Sequence, residues 1–142
     1  MHTAGEILRE KGGQIWSVSP DVAIIEALRT MAEKSVGALL VMDNEKLIGI
    51  VTERDYARKV ALEERSSRQS LVREIMSTRV LCVRPDQTVQ ECMALMSDKR
   101  ARHLPVLDHK KVIGVVSIGD LVKAIIADQQ FEIEQLQHYI NH

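Results

Sequence analysis

Aromatic side chains are scarce in this chain. One Trp, two Tyr and one Phe among 142 residues amount to 3%. A core built on stacked rings is excluded, so burial must come from Val, Ile, Leu, Met and Ala. Cysteine is nearly absent too. Cys82 and Cys92 give neither a metal-ligand spacing nor a disulfide framework. No apolar run is long enough to cross a bilayer; the longest, such as residues 38–42 and 112–116, are a fraction of the ~20 residues required. The first eleven residues mix Glu6, Arg9 and Glu10 with apolar positions, which is not the pattern of a signal peptide. Basic excess is also missing. The net charge is −1, which argues against a general nucleic-acid or anionic-membrane surface. The expected compartment is the cytoplasm.

What the chain does have is a repeat. Shifted by 65 residues, positions 15–60 match positions 80–125 without a gap. Val18, Pro20, Asp21, Glu26, Met31 and Lys34 recur as Val83, Pro85, Asp86, Glu91, Met96 and Lys99. Leu39, Val41, Asp43, Lys46, Ile48, Gly49, Val51 and Asp55 recur as Leu104, Val106, Asp108, Lys111, Ile113, Gly114, Val116 and Asp120. Self-similarity at a fixed period marks packed supersecondary units.

Each copy reads β-α-β-β-α. Residues 15–18 and 80–83 are short apolar strands. Pro20-Asp21 and Pro85-Asp86 are expected to open the helix that follows, with Pro near its first turn. Helical spacing in the first copy runs through Val22, Ile25, Leu28 or Arg29, and Ala32. The second copy puts Val89, Cys92, Met93 and Met96 on one face. Hairpins follow at residues 38–42 with 47–52, and 103–107 with 112–117, then helices at 53–62 and 118–126. The fold class is therefore α/β (α+β): two βαββα repeats, with an expected pseudo-two-fold packing. The boundaries are 1–66 for the first repeat, 67–126 for the second and 127–142 for a helical tail. The tail continues the last helix to about Tyr139 and carries Phe131, Ile133, Leu136 and Ile140, more apolar surface than the repeat needs. After the polar linker at residues 63–70, residues 71–76 form a short helix that mirrors Ile7-Leu8 ahead of the first repeat.

Two segments carry a family resemblance. They are Gly49-Ile50-Val51-Thr52-Glu53-Arg54-Asp55 and Gly114-Val115-Val116-Ser117-Ile118-Gly119-Asp120, each a glycine, two apolar residues, a hydroxyl, two variable positions and an aspartate. Arg102-His103-Leu104-Pro105-Val106 adds a second signature. The pattern resembles the CBS (cystathionine β-synthase) domain family, in particular small bacterial stand-alone CBS pairs. The resemblance implies adenosine-compound binding in a cleft between the repeats: AMP first, with ADP, ATP, NAD(H) or S-adenosylmethionine as other ligands. It also implies a homodimer.

The candidate site residues follow from chemistry as well. Thr52 with Asp55, and Ser117 with Asp120, put a hydroxyl and a carboxylate on one side of a strand-to-helix junction. A carboxylate there can accept from both ribose hydroxyls. The same spacing also makes a helix cap, so both readings stand. Phosphate needs cations, and the copies supply them differently: Arg54 and Arg58 in the first, Arg102 and His103 in the second. Adenine needs a flat apolar slot, for which Ile15, Trp16, Leu39, Val80 and Pro105 are the candidates. No nucleophile–base arrangement and no metal-ligand spacing is present, so no catalytic and no metal residues are assigned. The expected function is an adenosine-nucleotide sensor that acts on an unidentified protein partner by population shift. A nucleotide-dependent enzyme and a ligand-free interaction module are the alternatives.

Overall fold

In the computed structural model, residues 2–141 are described. The chain divides into two compact units that do not coincide with the sequence repeats. One is contiguous, Ile15–Val80. The other joins Met1–Gln14 to Leu81–His142. The short helix preceding each repeat thus belongs to the unit built by the other repeat.

The contiguous unit contains β1 (Ser17–Val18), α2 (Ile24–Lys34), β2 (Ala38–Asp43), β3 (Lys46–Thr52), α3 (Glu53–Tyr56) with a π-helical turn at Ala57–Ala61, and α4 (Val72–Ile75). Its sheet runs β1-β2-β3, with β1 parallel to β2 and β2 antiparallel to β3. The second unit contains α1 (Ala4–Lys11), α5 (Val89–Lys99), β4 (His103–Asp108), β5 (Lys111–Ser117) and α6 (Ile118–Ile140). Its sheet is the β4-β5 hairpin.

The strand expected at residues 80–83 is reduced to one parallel bridge between Val83 and Val106. Proline accounts for the loss. In the first unit the Leu40 N–H donates to the Trp16 carbonyl at 3.1 Å. The position equivalent to Leu40 is Pro105, which has no N–H to give. The bonds flanking Val106 remain, from Val83 N–H to the Pro105 carbonyl and from Leu107 N–H to the Val83 carbonyl, both 2.9 Å.

The helix faces also need a correction. In α2 the buried positions are Ile24, Ala27 and Met31, one residue out of phase with Val22, Ile25 and Ala32. They are the repeat partners of Val89, Cys92 and Met96, which are buried in α5 as expected. Pro20 and Pro85 do not sit in a first turn; α2 begins at Ile24 and α5 at Val89. The linker supplies what the N-terminus of α2 lacks in side-chain capping. Ile24 N–H donates to the Ser70 carbonyl and Ile25 N–H to the Ser67 carbonyl. In α5 Thr88 does the capping, accepting from Glu91 N–H.

Both hairpins turn on two residues with positive φ: Asn44 (48°) and Glu45 (67°), and His109 (50°) and Lys110 (68°). That is the backbone a tight hairpin needs to match strand twist, achieved without glycine. Gly49 and Gly114 serve close approach instead. A Cβ on Gly49 would lie 2.9 Å from the Ser77 carbonyl oxygen, where residues 76–77 cross β3. A Cβ on Gly114 would lie 2.6 Å from Leu8 Cδ2, where α1 crosses β5.

Each unit has its own apolar core. One gathers Ile24, Ala27, Met31, Leu39, Val41 and Val51 with Val60, Val72 and Ile75 from the linker side. The other gathers Val89, Cys92, Met96, Leu104, Val106, Val116 and Leu121 with Ala4, Ile7 and Leu8 from α1.

Candidate functional site

The two hydroxyl–aspartate motifs sit where the sequence puts them, at the end of β3 and β5 and in the first turn of α3 and α6. Both form capping boxes. Thr52 Oγ1 accepts from Asp55 N–H at 3.0 Å, while Asp55 Oδ2 accepts from Thr52 N–H at 2.9 Å. Ser117 Oγ accepts from Asp120 N–H at 3.2 Å, and Asp120 Oδ2 accepts from Ser117 N–H at 2.8 Å. The carboxylates are largely enclosed, with side chains 17% and 18% exposed.

Each aspartate also holds a lysine that sequence reasoning missed. Asp55 Oδ1 pairs with Lys59, one turn along the same helix, at 3.3 Å. The repeat partner of Lys59 is Ala124, so α6 has no lysine at the equivalent position. Lys11, at the end of α1, takes the role. Its Nζ donates to Asp120 Oδ2 at 2.7 Å and to the Val115 carbonyl at 2.8 Å. Lys59 Nζ has the parallel second bond, to the Ile75 carbonyl at 3.0 Å. An i,i+4 spacing could have flagged Lys59. Nothing local flags Lys11, which lies outside the repeat.

Burial opposes ionisation of Asp120, but the hydrogen bonds from Lys11 and Ser117 outweigh it and hold its carboxyl below the usual range. His103 shifts the other way for a base: burial, then the Lys11 ammonium and Arg102, keep its imidazole neutral to lower pH than usual. At neutral pH it is therefore an uncharged hydrogen-bonding group. Lys11, Arg102, His103, Ser117 and Asp120 thus make one cluster at the β5–α6 junction.

At the β3–α3 junction the cations are Arg54 and Arg58. Both are exposed, and among the described residues neither forms an ion pair, since Asp55 is taken by Lys59 and Glu63 by Arg65. The adenine candidates scatter in burial. Ile15, Trp16 and Val80 are half-buried, Pro105 is buried, and Leu39 lies inside the core at 1% exposure. Trp16 is covered on one side by the Lys34 ammonium, 4.6 Å from the ring centroid. A cavity of about 320 Å³ opens between the C-terminal turn of α2 and Gly37 and Glu53; Thr52 and Asp55 do not line it. Among the described residues no group of three or more His, Cys, Asp or Glu could hold a metal, and no helix is long and apolar enough to cross a membrane.

The duplication is matched by a known family. Residues 4–62 and 72–127 each match the CBS domain. The chain belongs to the CBS domain family. A CBS domain-containing mitochondrial protein of Arabidopsis thaliana, CBSX3, is 36% identical over 97% of this chain and 71% of its own length. The structure of a CBS-domain protein from Burkholderia ambifaria is 54% identical, with a TM-score of 0.86 over 89% of this chain and 96% of that one. The CBS pair of MJ0100, solved with 5′-methylthioadenosine and S-adenosyl-L-methionine, shares the fold at 24% identity, with a TM-score of 0.76 over 87% of this chain and 98% of that one. CBS pairs are regulatory modules, and some hold adenosine ligands.

Proposed function

We propose that this CBS pair is a cytoplasmic adenosine-nucleotide sensor, binding AMP first and ADP, ATP or NAD(H) as alternatives, and passing the signal to a protein partner. It catalyses no reaction. The observation that carries the reading is the duplicated junction: an enclosed carboxylate beside a hydroxyl, with cations close by. In this reading Asp55 and Asp120 receive ribose hydroxyls, with Thr52 and Ser117 beside them. Arg54 and Arg58 face phosphate at one junction; Arg102 and His103 face it at the other. Ile15, Trp16, Leu39, Val80 and Pro105 are the candidates for contact with the base. Displacing Lys11 or Lys59 from its aspartate releases an ammonium toward phosphate, and the released contact is the signal. The chain acts as a homodimer.

The capping boxes favour a second reading, a ligand-free interaction module in which both aspartates only stabilise helix starts. Mass spectrometry of protein purified natively and then denatured separates the two. A co-purified adenosine nucleotide, with calorimetric binding of AMP to the stripped protein, supports the sensor. An empty protein that binds none of the four nucleotides supports the module.

A further inference from the structure

Helix α6 carries two distinct apolar faces. Leu121 and Ala124 are buried, and Ile125 packs partly against the core of its own unit. A second stripe faces solvent: Val122, Ile126, Ile133, Leu136 and Ile140, exposed between 42% and 77%. At about 100° per residue, these five and Gln129 fall within roughly 80° of arc, centred about 100° from the buried face. The stripe is therefore not a continuation of the packing that α6 makes with its own unit.

Its spacing is that of a heptad. Ile126, Ile133 and Ile140 occupy one core position, seven residues apart. Val122, Gln129 and Leu136 occupy the other, also seven apart. The first position is β-branched throughout and the second holds one Leu, Leu136; β-branched side chains at the first with Leu at the second favour two parallel strands. One polar residue, Gln129, interrupts the apolar set. In a parallel pair in register it meets its own copy, and each amide can donate to and accept from the other. Opposite an isoleucine it would be buried without a partner, which is costly. The stripe from Val122 to Ile140 spans about 27 Å at 1.5 Å per residue. Among the described residues no other helix exceeds 11 residues, so α6 itself is the chain's own match in length.

We infer that α6 pairs with the α6 of a second copy as a short parallel two-stranded coiled coil, with Gln129 against the partner's Gln129. The inference deepens the homodimer reading and is independent of the nucleotide. Coils this short are marginal as free peptides, but here the first turns are already held by Leu121 and Ala124, so nucleation is complete before pairing begins.

The experiment uses the full chain. Gln129→Cys is oxidised mildly and compared with Gln130→Cys and with the wild type, which controls for Cys82 and Cys92. A covalent dimer is expected from Gln129→Cys alone. In parallel, Ile133→Glu with Leu136→Glu is sedimented over a concentration series; its dimer dissociation constant should rise about a hundredfold while the melting temperature at low protein concentration stays put. A wild type that sediments as a monomer throughout overturns both this inference and the homodimer reading. A wild-type dimer that is indifferent to the double variant overturns the coiled coil alone, whether the stripe stays bare or meets a foreign helix. Crosslinking of Ile126→Cys with Leu136→Cys, but not of Gln129→Cys with itself, overturns the parallel register.

Discussion

Lys11 reaches Asp120 across 109 positions of sequence, with Nζ 2.7 Å from Oδ2, to do what Lys59 does for Asp55 from one helical turn away. The two junctions are built alike but tethered differently. Only the second is tied to the N-terminal helix. Lys11→Met should therefore weaken AMP binding at one site by about tenfold, through loss of one charge-assisted contact, while adenosine binding at that site holds or strengthens as Asp120 is freed. Lys59→Met should do the same at the other site. Calorimetry with AMP and adenosine checks this. Equal losses for both ligands would show that the lysines only brace the fold.

Asp55→Ala and Asp120→Ala each remove a cap as well as the proposed ribose contact. Stability should fall by about 1 kcal/mol per cap. Affinity at one site should fall by about 1.5–3 kcal/mol, or ten- to hundredfold. The two readouts are separable. Melting curves that drop with unchanged AMP titrations would leave these carboxylates as caps and nothing more.

Arg54→Ala and Arg102→Ala leave both capping boxes in place, so neither should lower the melting temperature appreciably. Each should weaken AMP by about tenfold at its own site and leave adenosine unchanged, because only AMP presents an anion. Loss of adenosine affinity in the same titrations would reassign these side chains to the fold.

The repeated glycines make unequal predictions. At Gly49 an added methyl meets a backbone carbonyl of Ser77, which cannot step aside. At Gly114 it meets the end of the Leu8 side chain, which can change rotamer or be trimmed. Gly49→Ala should cost more than Gly114→Ala, with the former at about 2–3 kcal/mol, the upper range for overpacking. Adding Leu8→Ala should partly restore Gly114→Ala. Denaturant titrations of the two single variants and the pair provide the comparison, and additive losses in the pair would contradict the contact.

His2 ties the start of the chain to α6. Its Nδ1 lies 2.7 Å from Asp128 Oδ1, and Nε2 lies 3.3 Å from Glu10. The Asp128 bond raises the imidazole above its ordinary value; Asp128 is lowered because the bonds from His2 outweigh its burial. The raised group stabilises fully below its unfolded value of 6.5, and the contribution is lost as pH rises through the folded value. The lowered group stabilises above 3.8 and loses its contribution as pH falls through its own folded value. His2→Gln should therefore lower the melting temperature most between about pH 5 and 6, with the gap closing in alkaline buffer. A gap that is flat with pH would mean that the pair is not charged.

Much of this was legible in the sequence. The 65-residue repeat places both hairpins, both junction motifs and the buried face of α5. Carried across in register, it also points to Ile24, Ala27 and Met31, where helical spacing within the first copy alone selects the wrong phase. Two things were not legible. Pro105 in a matched strand looks like a conservative apolar position, yet it removes a ladder donor and leaves residues 80–83 with a single bridge. Lys11 sits outside the repeat, and only tertiary packing of α1 delivers it to Asp120.

The exchange of leading helices between the repeats has a consequence for how the protein comes into being. A ribosome releases Met1–Gln14 before Ile15–Val80, but that segment packs with Leu81–His142 and must wait until those later residues are made. Ile15–Val80 is complete in one stretch and can close while synthesis continues. The order of assembly is thus inverted relative to the order of translation: residues 15–80 close first, and residues 1–14 find their place after them.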